Sequence, residues 1–373
     1  MIPKNKPEKP YWLRLLPIAL LAVGVTVLGF FPLFVENAYS QTLYPAISVL
    51  LRLCTRWMPF SLGDLIYIVF SLRVLIGLAR FFVELYRKKL RPGWFARSVY
   101  RSLHFLLWAY IVFKCLWGLN YDRLGVAHQL AIKKMAYNKG DLVNLTNRLI
   151  DKVNEARRQL PDTVLPRPEL DALFRDAFRA YQLASLEYEF LNYRNRSVKK
   201  SLFTRLGDYM GFSGYYNPFT GEAQVRADIP RILIPYIVCH EMAHQLGYAS
   251  ESEANFVGYL AAARSENAYF RYSVYLDLFS YAQAEELALL AKEKDRTEFD
   301  STIKWNRQRL DTLVKKDRRE IRAFFDKRRN RVSPAVSGLY DQYLKMNKQF
   351  EGIRSYDEVI GLLLAYQRKY GKL

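Results

Sequence analysis

Cysteine is nearly absent from this chain. Three occur in 373 residues, Cys54, Cys115 and Cys239, with no Cys-x-x-Cys pair among them. That usage excludes a disulfide framework and a cysteine-based zinc knuckle. Histidine is scarce as well, at four, so an imidazole site has few places to form. No internal repeat and no low-complexity linker is present. Acidic residues are rare in one part only. Residues 1–120 carry 15 Lys/Arg and 4 Asp/Glu, a net of +11, whereas residues 121–373 carry 41 and 32, a net of +9. More than half of the overall +20 therefore sits on the shorter, apolar part, where flanking charge orients membrane spans. Nucleic acid does not account for that half, and no nucleic-acid partner is expected.

What the first 120 residues do contain is long apolar runs. Leu15 to Val35 are 21 residues without a charge, enough to cross a bilayer as a helix. The run exceeds the core of a cleaved signal peptide, so a retained anchor is expected. A second run covers 65–85 and is interrupted by Arg73 and Arg80, which must face protein, water or headgroups. A third covers 103–119, with Lys114 near its far end, where a long side chain can reach the interface. Between the first two, residues 42–60 place Arg52 and Arg56 on one helical face beside Trp57. This reads as an amphipathic helix on the bilayer, with a helix packed on the following domain as the alternative. Residues 1–120 are thus expected to form a membrane domain of about three transmembrane helices (15–35, 65–85, 103–119). Four basic residues precede the first run and six lie between Arg87 and Arg101. Positive charge stays inside, so everything after about Asn120 is expected on the periplasmic side of the cytoplasmic membrane. The parity reverses if the second run does not span or if the amphipathic stretch also crosses.

Residues 121–373 are mostly helical by pattern, with apolar residues at three- and four-residue steps around 141–160, 169–191, 268–293, 297–329, 337–347 and 356–370. One stretch, Met210 to Pro230, breaks the pattern with Gly, Pro, Asn and aromatics. It reads as short strands and turns, with Glu222–Val225 extended and a candidate edge strand. The expected fold class is therefore mainly α, N-terminal transmembrane helices followed by a mostly helical α+β domain with a small β element.

Immediately after that stretch comes VCHEMAHQLGYASESEANF, Val238 to Phe256. A helix from about Pro235 to Leu246, stopped at Gly247, puts His240 and His244 one turn apart on one face. Two neutral imidazoles so placed can hold one Zn²⁺, and the intervening Glu241 suits a general base. A hydrolytic zinc site needs a third ligand and an open position. Glu253, on a following helix that begins near Ser250–Ser252, is the expected third ligand, with Glu251 as the alternative. Asn255 can hydrogen-bond a ligating histidine and fix its tautomer. Cys239 is a poor co-ligand because adjacent helical positions point about 100° apart. His104 and His128 read as non-ligands. Tyr215, Tyr216 and Tyr356 are candidate oxyanion stabilisers among 27 tyrosines. The run Lys304–Arg331 carries twelve Lys/Arg against four acids and reads as a solvated helix face, with an anionic lipid or glycan surface as its functional alternative.

The stretches GFSGYYNPFTGEAQV and VCHEMAHQLGYASESEANFVGYLAA, with WGLNYDR and YLKMNKQFEGIRSYDEVIGLLLAY, resemble an uncharacterised family of Bacteroidetes membrane proteins, a domain of unknown function. The resemblance implies membrane helices followed by a zincin-like domain over 121–373, and a metallopeptidase site similar to that of gluzincins, but no substrate. The expected function is a membrane-anchored zinc metallopeptidase acting on a peptide or protein, with Glu241 as base and His240, His244 and Glu253 as ligands. The rivals are a zinc hydrolase of a non-peptide envelope amide, and a membrane receptor or scaffold with a structural metal.

Overall fold

A long apolar helix opens the described chain. The computed structural model describes residues 11–373 apart from 89–92, 134, 163–164, 166, 294–295, 331–337, 339–341 and 343–355. The helix expected over 337–347, most of the YLKMNKQFEGIRSYDEVIGLLLAY stretch and the Tyr356 side chain lie outside these residues. Helix α1 (Tyr11–Leu28) ends short of the expected Val35. The chain leaves helical geometry at Gly29–Phe31, because the residue before Pro32 is steered away from it. It then restarts at 87° to α1. Val35–Leu43 winds as a wide π turn and leads into α2 (Tyr44–Thr55). Helices α3 (Leu62–Tyr86) and α4 (Trp94–Leu116) are each long and apolar enough to cross a membrane. The bent pair Leu13–Leu28 and Pro32–Thr55 is a third candidate if it counts as one span. Arg73 and Arg80 lie on the exposed surface of α3.

Two expectations for this region need correcting. Lys114 does not reach outward: it is buried, and its Nζ donates to Asp122 Oδ2 at 2.8 Å and to Gly118 O. Helix α2 turns its polar stripe, Tyr44, Ser48, Arg52 and Thr55, into the protein. The Arg52 guanidinium stacks 4.4 Å over the Tyr193 ring, and Arg56 donates to Asn195 Oδ1. Its other face leaves Leu50, Leu53 and Trp57 at its end exposed. The helix is amphipathic as read, but its basic side faces protein and its apolar side faces out.

The rest is helical around a three-stranded mixed sheet. Helices α5 (Lys139–Arg158) and α6 (Leu170–Ser185) precede strands β1 (Val198–Lys200), β2 (Gly214–Asn217) and β3 (Glu222–Val225). The order is β1-β3-β2, with β1 parallel and β2 antiparallel to β3. Glu222–Val225 is therefore the buried central strand, and β2 is an edge. The expectation of β3 as an edge missed that Val198–Lys200, paired with it in a register offset of 25 residues, covers its other side. Helices α7 (Ile234–Gln245), α8 (Glu251–Ala262), α9 (Ala268–Glu293), α10 (Arg296–Arg309), α11 (Thr312–Asp326) and α12 (Tyr356–Tyr370) follow. The single helix expected over 297–329 is two, broken at Leu310–Asp311. The core joins Leu145, Leu149 and Val153 of α5, Tyr181 of α6, Met242 of α7, Phe256 of α8 and Phe279 of α9. These residues recur at helical steps within each element, so each helix buries one stripe.

The N-terminal segments and the later helices share contacts across residue 120. Glu36 is fully buried and receives Arg123 at 2.7 Å, the Gly125 N–H at 3.0 Å and Gln41 and Gln129. Glu222 of β3 accepts from the Leu62 and Gly63 N–H groups at 3.1 and 2.7 Å. Those are orphan donors at the start of α3, where a carboxylate satisfies both the hydrogen bonds and the helix dipole.

Candidate metal centre

Helix α7 is set up by its own sequence. Pro235 occupies its first turn, where a missing N–H costs nothing. Gly247 follows it at φ +89, a left-handed position that glycine takes without strain. The last carbonyls of a helix lack intrahelical donors. Here they are met from the N-terminal part of the chain: Trp117 Nε1–H donates to His244 O at 3.1 Å, and the Tyr44 and Ser48 hydroxyls donate to Gln245 O at 3.0 and 2.6 Å. Helix α8 folds back along α7. Ser250 is its N-cap in backbone geometry, although its hydroxyl bonds Ser252 rather than a helix N–H.

This packing brings His240, His244 and Glu251 together, with one ligand atom of each within 4.8 Å of the others. Glu251 Oε2 lies 3.2 Å from His240 Nε2, and Oε1 lies 3.8 Å from His244 Nε2. Glu253 is not there. Two residues along a helix is a rotation of about 200°, so its carboxylate points the other way and accepts from the Val126 N–H at 2.8 Å. The carboxylate beside the two histidines is thus that of Glu251, the alternative in the sequence reading, and not that of Glu253. Asn255 is one turn after Glu251 and shares its face, which places its Oδ1 2.8 Å from His240 Nδ1. His244 Nδ1 lies 2.7 Å from Tyr248 O. A carbonyl only accepts, so His244 Nδ1 carries the proton and Nε2 presents its lone pair toward Glu251. The backbone partner at Tyr248 was not foreseen; the tight Gly247 turn, which lifts that carbonyl back over the helix end, is the signal for it.

Glu241 is buried beside the trio, and its Oε2 is without a hydrogen-bond partner. Burial and the charge of Glu251 push its carboxyl up to about 8 against the opposing pull of His240. Burial carries His244 down to about 4, while at His240 burial is outweighed by Glu251, which holds the imidazole up at about 9. Gly214 of β2 leaves room for Glu241: a Cβ there would sit 2.6 Å from Glu241 Oε1. An orphaned buried oxygen, two imidazole nitrogens and a carboxylate in one spot suit a divalent cation of the zinc type, which would displace the His240 proton.

The trio and Glu241 lie in the wall of a cavity of about 1810 Å³. Its lining includes Gly214 to Tyr216 of β2, Tyr67 and Phe70 of α3, and α9 from Ser273 to Gln283. Neither expected tyrosine is poised for an oxyanion. The Tyr215 hydroxyl donates to Asp64 Oδ1 at 2.7 Å, and Tyr216 is turned to Tyr44 and Trp117. Cys239 faces the core, where burial raises its thiol. His128 lies on the short helix Gly125–Gln129, and His104 on α4 lies against Tyr100.

No curated protein and no solved structure matches the chain. One family model does, over residues 39–364, and its description is a protein of unknown function (DUF3810). That match takes in the later part of the π turn, α2 to α11 and most of α12, so the chain belongs to the DUF3810 family.

Proposed function

We propose that this chain is a membrane-anchored, zinc-dependent peptidase with a zincin-like site. The observation that carries the reading is the convergence of His240 Nε2, His244 Nε2 and a Glu251 oxygen beside the unpartnered Glu241 Oε2, in a cavity wall. His240, His244 and Glu251 would hold the ion. Zinc would supply a Lewis acid there, polarising a substrate carbonyl and acidifying water. Asn255 and the Tyr248 carbonyl hold the two Nδ1 atoms, so both imidazoles keep their orientation as ligands. Glu241 takes the proton of the attacking water on its free oxygen and returns it to the leaving amine. Strand β2, at the edge of the described sheet, also lines the cavity, and a sheet edge is an element that an extended peptide can pair with.

The test uses full-length protein in neutral detergent. Metal analysis should find about one zinc per chain, lost in the His240→Ala, His244→Ala double variant. Glu241→Gln should keep the metal and lose cleavage of a peptide library by roughly two to four orders of magnitude, the usual contribution of a positioned base. Equal zinc in parent and double variant would end the proposal. We further propose that the site faces the periplasm, on the strength of the basic flanks of the first two runs; a reporter fused after Asp122 that is active only in the cytoplasm would reverse it.

A further inference from the structure

The far end of the same cavity is basic. Lys315, Arg318, Arg319 and Arg322 of α11 and Arg307 of α10 all line it. On α11 they recur at three- and four-residue steps, so they form one stripe along one face. Of the neighbouring acids, Glu320 is exposed and three others are bonded elsewhere. Asp317 accepts from Arg157 and Tyr272, both at 2.7 Å, Asp311 from Arg158, and Asp326 from Arg329. Within the described residues no carboxylate pairs with any of the five cations. Lys315 reaches only the Gln308 carbonyl at 3.4 Å. Arg318 reaches Gln283 Oε1 at 2.8 Å and lies over the Phe279 ring. The acids that line the cavity, Glu241, Glu251 and Asp277, are on α7, α8 and α9, whereas the cations are on α10 and α11. The lining therefore carries its carboxylates and its cations on different helices.

Helix α9 gives the scale. Asp277, one turn after Ser273, whose hydroxyl accepts from the Tyr236 N–H at 3.2 Å one turn before His240, and Gln283, which holds Arg318, are both in the lining. Six residues of helix separate them, about 9 Å, which an extended chain covers in about three residues. The stripe from Lys315 to Arg322 adds about 10 Å more. We propose that the cavity selects polypeptides carrying an acidic stretch, seated on the Lys315–Arg322 stripe and beginning about three residues from the bond at the metal centre. This rests on the peptidase reading and names its substrate class. A polypeptide is favoured over an anionic lipid headgroup because the edge strand β2 lines the same cavity, and only an extended chain can pair with a sheet edge.

Arg319 and Arg322 are exposed, so reversing their charge leaves the packing intact. Full-length Glu241→Gln protein in neutral detergent would be titrated with a fluorescent glutamate-block peptide and its glutamine-block analogue, with anisotropy as the readout. The acidic peptide should bind at least about tenfold tighter, and the preference should shrink as salt rises from about 0.05 to about 0.5 M. Adding Arg319→Glu and Arg322→Glu should abolish the preference, with an unchanged melting curve as the folding check. Equal binding of the two peptides, or a preference that survives charge reversal, overturns the inference. So does a double variant that loses binding to phosphatidylglycerol vesicles while still preferring the glutamate block, since the stripe is then a headgroup contact. The peptidase reading fails separately: binding of the acidic peptide with no cleavage by the parent leaves the stripe's role standing and removes hydrolysis. Cleavage indifferent to peptide charge does the reverse.

Discussion

Replacing Glu251 and Glu253 by Gln, one at a time, separates two carboxylates that sit two residues apart and do different work. Glu251→Gln keeps the shape but removes the anion from between the two imidazoles, where its oxygens lie 3.2 and 3.8 Å from the Nε2 atoms. Disturbing only the partner of a metal ligand costs about 10–100-fold in affinity, so removing a ligand's charge should cost at least that, or about 1.4–2.7 kcal/mol. Glu253→Gln leaves the trio untouched. It removes a charged acceptor from the Val126 N–H, bonded at 2.8 Å. A hydrogen bond to a charged group contributes about 1.5–3 kcal/mol, and each kcal/mol is about 2–4 °C of melting temperature in a domain of this size. The expected pair of outcomes is a Glu251 variant that loses zinc to a competing chelator, and a Glu253 variant that keeps zinc but melts several degrees lower. Zinc lost from the Glu253 variant and retained in the Glu251 variant would refute the assignment.

Three further outcomes follow from other contacts. Gly214→Ala should retain zinc yet lose at least about tenfold in turnover, as part of what a positioned base supplies, because its methyl would lie 2.6 Å from Glu241 Oε1; unchanged kcat would show that Glu241 has room to move. Asp317→Asn should destabilise by about 3–5 kcal/mol in denaturant titrations, the cost of stranding a buried charge, since Arg157 is 1% exposed and bonds it at 2.7 Å. Burial tends to raise the Glu187 carboxyl, but Lys372, Tyr188 and Arg264 hold it down from 4.5 to about 2. Its folded-state pKa is depressed, so its stabilisation is present above about 4.5 and fades as pH falls through about 2. The melting gap between parent and Glu187→Gln, small because the group is 40% exposed, should close over that window, and a gap that widened on acidification would contradict it.

Helices with a clear apolar period were legible in the sequence. So was the HExxH helix, whose observed span, Ile234–Gln245, is shifted by one residue from the expected one. Pairings between distant segments were not. Nothing local to Glu222–Val225 marks Val198–Lys200 as its neighbour, and nothing local to Tyr44–Thr55 says that its arginines face Tyr193 and Asn195. Glu251 was readable in principle. Asn255 as the partner of a ligating histidine requires a ligand on its own helical face, and one turn before it is Glu251, whereas Glu253 lies about 200° away from Asn255. Helical face, rather than position on the following helix alone, points to the carboxylate that the fold sets beside the histidines.

The closing of the α7 C-terminus by Tyr44, Ser48 and Trp117 also sets an order for biogenesis. Tyr44 and Ser48 lie 201 and 197 residues before the carbonyl they reach. At about 5–20 residues per second, a ribosome needs roughly 10–40 s to make that interval. The apolar segments around α1 and α3 emerge and can enter the bilayer during that time, while the histidine helix has yet to be made. The finishing donors for that helix are therefore already made when it appears, on segments next to helices apolar enough to cross a membrane. A fragment starting after residue 120 is born without the partners for Gln245 O.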